Sequence, residues 1–173
     1  ILIVDDVKAN VDLLVELLRD DYKLSVATNG ENALAVVRKA RPDLILLDVS
    51  MPGMDGYEVC RRLAADEGTR TIPVILQTAL SDAEDEARGL ALGAVDYITK
   101  PFNPELLRAR VRNHLELKRH RDDLEALVQE RTLELRRTQA VMIESLGTLA
   151  EYRDPETGGH IKRTQAYVKA LAL

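Results

Sequence analysis

Five side chains able to act on a phosphate sit in one kind of place, each just past a short apolar run. Asp5 and Asp6 follow the run that opens at Ile1, Asp48 follows Leu44–Leu47, Thr78 follows Ile72–Gln77, and Lys100 lies just beyond Val95–Ile98. Three clustered carboxylates repel one another and raise each other's pKa unless a cation lies among them. Hard oxygen ligands, with room left for water and phosphate, suit Mg2+. With that charge compensated, a carboxylate can attack phosphorus and form an acyl phosphate. Lys100 would set a point charge on one phosphoryl oxygen, and Thr78 a hydroxyl on another. A Ser/His/Asp hydrolase is a poor alternative, because His114, His120 and His160 all lie beyond residue 103. Polar residues do appear wherever buried strands reach solvent, which accounts for one or two acids. It accounts poorly for three carboxylates, a hydroxyl and a lysine spread over four strands.

The elements that must hold these residues alternate in type. After the opening run, Val11, Leu14, Val15 and Leu18 recur at helical spacing. A second run covers Lys23–Thr28, and a helix from Glu31 to Ala40 must stop near Pro42. Leu44–Leu47 ends at Asp48, and a Pro/Gly-rich loop (Met51 to Gly56) leads into a helix reaching about Asp66. Ile72–Gln77 is the fourth strand, Asp82–Leu92 the next helix with Asp82 suited to cap it, and Val95–Ile98 the fifth strand. Five such units with continuous Val/Ile/Leu strands predict an α/β fold, a parallel sheet covered by helices on both faces. Right-handed crossovers leave few topologies. Ligands of such sheets bind outside the carboxyl ends of the strands, which is where the five residues converge.

Bulk properties exclude several classes. The 46 % hydrophobic and 31 % charged content is that of a globular protein. No apolar run approaches the length of a membrane span, and no basic, apolar-cored leader opens the chain, so a cytoplasmic protein is expected. One cysteine excludes an internal disulfide, and Cys60 lies in a helical pattern that makes it an inert packing residue. Residues 1–103 carry 11 Lys+Arg against 18 Asp+Glu, whereas residues 104–173 carry 13 against 11. So acidic a first part is a poor nucleic-acid binder, because neutralising phosphates takes clustered cations. Ile1 falls inside a strand pattern and Leu173 inside a helical one, the expectation for a piece of a longer protein.

Residues 1–103 resemble the CheY-like receiver domains of two-component response regulators. The resemblance rests on Asp5-Asp6, on Asp48-x-x-Met51-Pro52-x-Met54-Asp55-Gly56, on Thr78-Ala79, and on Tyr97-x-x-Lys100-Pro101. It implies a doubly wound (βα)5 sheet of order 2-1-3-4-5, here with a long C-terminal helical extension. It implies that Asp48 accepts a phosphoryl group from a histidine kinase. It further implies that Asp6 and Asp48 bind Mg2+ directly, Asp5 directly or through water, and Ser50 through its backbone carbonyl. In the same family Thr78 would shift toward the phosphoryl group and Tyr97 would turn inward behind it. From its position alone, Tyr97 reads as strand packing. Lys100 precedes an expected cis proline, and small Ala79 should leave the site open to the donor.

Beyond the receiver, Pro104 is placed to begin a helix, and no proline follows until Pro155. A continuous helix over residues 104–150 would run about 70 Å. Val128, Leu135, Met142 and Leu149 repeat every seven residues, while Leu117, Leu124, Arg131, Thr138 and Ser145 hold the companion position. That heptad predicts a parallel two-stranded coiled coil, and so a homodimer through residues 104–150, with Arg131 weakening one seam. The tail, residues 151–173, breaks the helix at Asp154-Pro155 and Gly158-Gly159. By composition it is a surface turn with a stray histidine. It also resembles the opening of HD-GYP domains, Arg-Asp-x-Glu-Thr-Gly-x-His. In that family the residues matching Glu156 and His160 help bind an iron-type centre that hydrolyses cyclic di-GMP. The defining His-Asp and Gly-Tyr-Pro motifs would lie past Leu173, so this chain alone should lack phosphodiesterase activity. The rival readings are a hybrid histidine kinase, with His160 as its phosphohistidine, and a receiver joined to another output such as a DNA-binding domain. Against the kinase, Ile161 and Gln165 stand where such boxes carry an acid and a proline.

Overall fold

The structure, a computed structural model, describes residues 1–79, 89–153, 163, 164 and 167. Five short strands form one parallel sheet: β1 (Leu2–Val4), β2 (Ser25–Ala27), β3 (Ile45–Asp48), β4 (Val74–Thr78) and β5 (Asp96–Thr99). Their order is β2-β1-β3-β4-β5, so the chain reverses direction across the sheet between β1 and β3. The helices are α1 (Lys8–Leu18), α2 (Gly30–Ala40), α3 (Gly56–Ala65) and α4 (Pro104–Arg153). The helix expected over Asp82–Leu92 lies largely outside the described residues, of which Gly89–Ala91 are helical.

Side chains leave a strand on alternate sides, and β1, β3 and β4 here each serve two cores. Leu2, Val4, Ile45, Leu47, Val74 and Leu76 meet Ala33 and Val37 of α2 and Val59, Cys60 and Leu63 of α3. Ile3, Leu46, Ile75 and Ile98 meet Val11, Leu14 and Leu18 of α1 and Leu107 and Val111 of α4. Leu107 and Val111 are both fully buried. The packed core therefore reaches past residue 103 into α4, and residues Ile1–Arg121 form one compact unit. Truncating one such buried leucine to alanine costs about 2–5 kcal/mol.

Local chemistry sets the helix ends. Asn29 Oδ1 accepts from Asn32 N at 2.8 Å and opens α2, while Asp55 Oδ1 accepts from Glu58 N at 2.7 Å and opens α3. Arg41, at φ 39°, ends α2 in the left-handed region, since a residue before Pro42 is barred from continuing a helix. Asn103 Oδ1 accepts from Glu105 N at 3.0 Å and Leu106 N at 3.1 Å, with Pro104 at the first helical position of α4. The fourth strand begins at Val74 rather than Ile72, because Thr69–Ile72 close a turn and Pro73 has no N–H for a ladder.

Asp122–Leu173 form a second unit. Its described part is α4 from Asp122 to Arg153, helical throughout, together with residues 163, 164 and 167. The heptad side chains Leu124, Val128, Leu135, Met142 and Leu149 are all exposed, from 59 to 67 %. Among the described residues, no helix is long and apolar enough to cross a membrane.

Candidate functional site

Every strand pairing is parallel, so all five carboxyl ends share one rim. Asp5 directly follows β1, Asp48 ends β3, Thr78 ends β4, and Lys100 directly follows β5. Asp5 is fully buried and Asp48 is 3 % exposed. Charged carboxylates lose hydration there, and something must replace it. The Lys100 ammonium does part of this, lying 2.8 Å from Asp5 Oδ2 and 2.9 Å from Asp48 Oδ2. Its position is set by its own backbone, since Lys100 N donates to Thr78 O at 2.8 Å. The Lys100-Pro101 bond is cis.

Asp5 has further donors. Val7 N donates to Oδ1 at 2.8 Å, and Asn10 Nδ2 reaches Oδ1 at 3.1 Å and Oδ2 at 3.0 Å. Asp48 has fewer, with Ser50 N at 3.3 Å from Oδ1. Burial pushes the Asp48 carboxyl above its usual range; Lys100 and the Ser50 amide pull it back, and the neighbouring Asp5 charge adds to the rise.

The loop after Asp48 is shaped by a close approach. Gly56 N donates to Val49 O at 3.0 Å, and a Cβ at position 56 would lie 2.2 Å from the Asp48 carbonyl oxygen. Only glycine lets α3 begin against the strand end that carries Asp48. Met51 is buried beneath this loop and Met54 packs against the same core, so both act as packing.

One carboxylate oxygen each from Asp5, Asp6 and Asp48 lie within 4.8 Å of one another, with Asp6 exposed at the mouth. Three carboxylates, two of them paired with one ammonium, form a hard, oxygen-rich and electronegative cluster. That donor set fits a small divalent cation such as Mg2+. The sequence-predicted residues Asp5, Asp6, Asp48, Ser50, Thr78 and Lys100 are thus brought to one rim. Glu156 and His160 lie outside the described residues.

Tyr97 is partly buried in β5 against the α2–α3 core. The Arg110 guanidinium lies 5.3 Å above its ring and donates to its carbonyl at 2.8 Å. Arg110 also bonds Asp96 Oδ1, while His114 Nε2 lies 3.0 Å from Asp96 Oδ2. Neither this group nor Asn10 stands out in the sequence. Asn10 looks like any polar residue on a helix, and only its place in the first turn after Asp5-Asp6 marks it. Gln77 also escapes a reading by motif: it is fully buried, and neither its Oε1 nor its Nε2 has a hydrogen-bond partner among the described residues.

Residues 1–112 match the family described as the response regulator receiver domain. The chain belongs to that family. Receiver domains take phosphoryl groups from histidine kinases and generally bind Mg2+, which agrees with the acidic cluster. The chain is 45 % identical, over an alignment of 179 residues, to a Vibrio cholerae protein named "Probable cyclic di-GMP phosphodiesterase", covering 99 % of this chain and 41 % of that protein. It is 50 % identical over 125 residues to the response regulator PleD of Caulobacter vibrioides, covering 72 % of this chain and 28 % of PleD. The chain therefore spans less than half the length of either relative. A crystal structure of a putative response regulator from Chloroflexus aurantiacus superposes with a TM-score of 0.64 at 40 % identity, covering 66 % of this chain and 95 % of that one.

Proposed function

We propose that Asp48 of this receiver is the acceptor in Mg2+-dependent phosphoryl transfer from a histidine kinase. The observation that carries the reading is the Lys100 ammonium held between two buried carboxylates, 2.8 Å from Asp5 and 2.9 Å from Asp48. Asp5, Asp6, Asp48 and the Ser50 carbonyl would hold the metal, which supplies positive charge against the phosphoryl oxygens when bound.

The residues divide the work. An Asp48 carboxylate oxygen attacks phosphorus on the donor's phosphohistidine; the P–O bond forms, the P–N bond breaks, and the leaving imidazole takes a proton from solvent. Lys100 then exchanges its contact with Asp48 for a phosphoryl oxygen while keeping Asp5. Thr78, ending the adjacent strand, donates its hydroxyl to another phosphoryl oxygen. Tyr97, two residues into β5, follows Thr78 inward as the switch. Burial raises the carboxyl of metal-free Asp48 above its ordinary value, and a cation held beside it would favour the ionised form that attacks.

Incubation with acetyl phosphate and Mg2+ tests the site. The expected result is stoichiometric acid-stable, base-labile label on the intact chain and none on Asp48→Ala. Equal labelling of Asp48→Ala overturns the assignment.

The signal leaves through the linker of residues 104–150, whose part beyond the receiver core pairs as a parallel coiled coil with a second copy. The exposed heptad positions Leu124, Val128, Leu135, Met142 and Leu149 support this. The division proposed is receiver 1–103 completed by the first turns of α4, linker 104–150 and the start of an output domain at 151–173. In the full-length protein that output is an HD-GYP phosphodiesterase for cyclic di-GMP, working on iron-type metals held in part by Glu156 and His160. The similarity of nearly the whole chain to the Vibrio cholerae protein supports it. Reading the parent gene downstream tests it, since His-Asp and Gly-Tyr-Pro motifs are expected there. A glycine-rich ATP site in their place would make the parent a hybrid kinase.

A further inference from the structure

Asp5 and Asp48 are both buried at the rim, yet they are held very differently. Asp5 is fully covered, so water cannot stand in for a missing donor. An ionised carboxylate has about four acceptor positions. On Oδ1 of Asp5 lie Val7 N at 2.8 Å and Asn10 Nδ2 at 3.1 Å. On Oδ2 lie Asn10 Nδ2 at 3.0 Å and Lys100 Nζ at 2.8 Å. Asp48 has, among the described residues, Lys100 Nζ at 2.9 Å and a longer contact from Ser50 N at 3.3 Å. What separates the two acids is the Val7 amide and the Asn10 side chain.

Of the donors on Asp5, only Asn10 spans both oxygens. Its Nδ2 lies almost equally far from each, which fixes the rotation of the carboxylate about its Cβ–Cγ bond. The amide must present its nitrogen here, because its oxygen would face two acceptors. Val7 N grips one oxygen only. Lys100 grips the other and is shared with Asp48, so its hold changes when a phosphoryl group arrives. Asn10 is the side chain that can stay in place throughout.

The position is a costly one for an ordinary surface residue. Asn10 is the third residue of α1, and asparagine is a poorer helix former than leucine or alanine. Its side chain turns back five residues to Asp5, and it is half-buried, so that contact is sheltered from water. Without it Asp5 keeps one contact on each oxygen and gains no water. The carboxylate is then free to turn toward Lys100 and away from the cluster it forms with Asp6 and Asp48.

We infer, on the reading of Asp48 as the Mg2+-dependent acceptor, that Asn10 is a positioning residue for the metal. By pinning both oxygens of Asp5 it aims that carboxylate at the cation site, and so sets how much Mg2+ Asp48 needs. Groups that orient metal ligands in this way contribute about 10–100-fold to metal affinity.

The test is an amide NMR titration of the metal-free full chain with MgCl2 alone, followed at Asp6, Asp48 and Ser50. The wild type should show saturating shifts. Asn10→Leu keeps the size and favours the helix but carries no donor, and its midpoint should lie about tenfold or more higher. Asn10→Ala should do the same, and Asn10→Gln, which keeps an amide, should fall between Asn10→Leu and the wild type. In acetyl phosphate labelling the half-saturating Mg2+ should rise by the same factor, while the label at saturating Mg2+ falls by about threefold at most. A purely structural Asn10 would instead lower the urea midpoint in EDTA and leave the Mg2+ midpoint where the wild type has it, which overturns the inference. So does tighter Mg2+ binding by Asn10→Leu, the result expected if the amide only competed with the cation for Asp5. A wild type without saturating Mg2+ shifts sinks the metal dependence of Asp48 and the role of Asn10 together. Labelling that is lost in Asp48→Ala, beside an unchanged titration of Asn10→Leu, sinks the role of Asn10 alone.

Discussion

Residues 1–121 and the described part of the second unit distribute polarity in opposite ways. The first buries charge: Asp5 is fully covered, Asp48 nearly so, and both lie against a partly covered lysine. The second exposes apolar surface, with Val128 at 63 %, Leu135 at 59 % and Leu149 at 67 %. A buried charge is costly unless the fold holds its partners in place, whereas an exposed leucine stripe of heptad spacing waits for a second helix. The first unit is therefore expected to fold without a partner, and the second to depend on one. Each region can be broken without the other.

The largest effect is expected at Gly56. A methyl there meets the Asp48 carbonyl oxygen and the Val49 backbone, with no flexible side chain able to give way. Gly56→Ala should destabilise the first unit by about 3 kcal/mol, the upper part of the overpacking range, read as a fall in urea midpoint at unchanged slope. Acetyl phosphate labelling should fall with it. A neutral Gly56→Ala would mean that the loop after Asp48 is less constrained than its geometry indicates.

The converse experiment is Val128→Asp with Leu135→Asp. Neither side chain takes part in the core of the first unit. Sedimentation equilibrium should show dimer affinity weakened at least a hundredfold, about 2.7 kcal/mol, while the urea stability of the first unit moves by less than about 0.5 kcal/mol. A receiver that unfolds together with the seam would erase the contrast between the two regions.

Gln77 sharpens the picture of the first unit. Its neighbours in strand register are Asp48 and Ile98, and its side-chain amide is buried with neither atom bonded among the described residues. Leaving such a group unsatisfied costs about 1–3 kcal/mol. Gln77→Leu should therefore raise stability by about 1 kcal/mol, after allowing for imperfect packing of the new side chain. A loss instead would show that the amide has a partner, such as a buried water.

What could be read in advance followed from periodicity and local chemistry. Three of the strands, β1, β3 and β4, are apolar runs because both faces are buried, and Asn29, Asp55 and Asn103 cap helices within three residues of themselves. The converging rim was legible because parallel topology alone brings the strand ends together. Illegible were contacts that join distant elements through ordinary residue types. Asp96 and Arg110 are 14 residues apart, and Asp96 and His114 are 18 apart. No spacing rule links a strand start to the third turn of a helix. Asn10 and Gln77 escaped for the same reason, since an amide is polar in any setting and only the fold decides what it meets. The reach of the core into α4 at Leu107 and Val111 was hidden by a helix whose apolar pattern continues unbroken into the heptad.

The smallest expected effect concerns how the site carries its charge. Asp48 has its carboxyl raised in the folded chain, chiefly by burial, above the ordinary value of 3.8. An acid raised by folding favours the folded state only while it is protonated. Below 3.8 both states hold the proton and Asp48 costs nothing; as pH rises through the folded value, stability is lost, and above it the loss is constant. Asp48→Asn removes this titration. In EDTA, the urea stability of the wild type relative to Asp48→Asn should therefore fall from pH 4 toward pH 7. Adding Mg2+ at pH 7 should restore the wild type and leave Asp48→Asn little changed, because the cation binds the ionised carboxylate. A difference that stays flat with pH would mean that Lys100, rather than burial, dominates at Asp48, and that the rim is already neutralised without a metal.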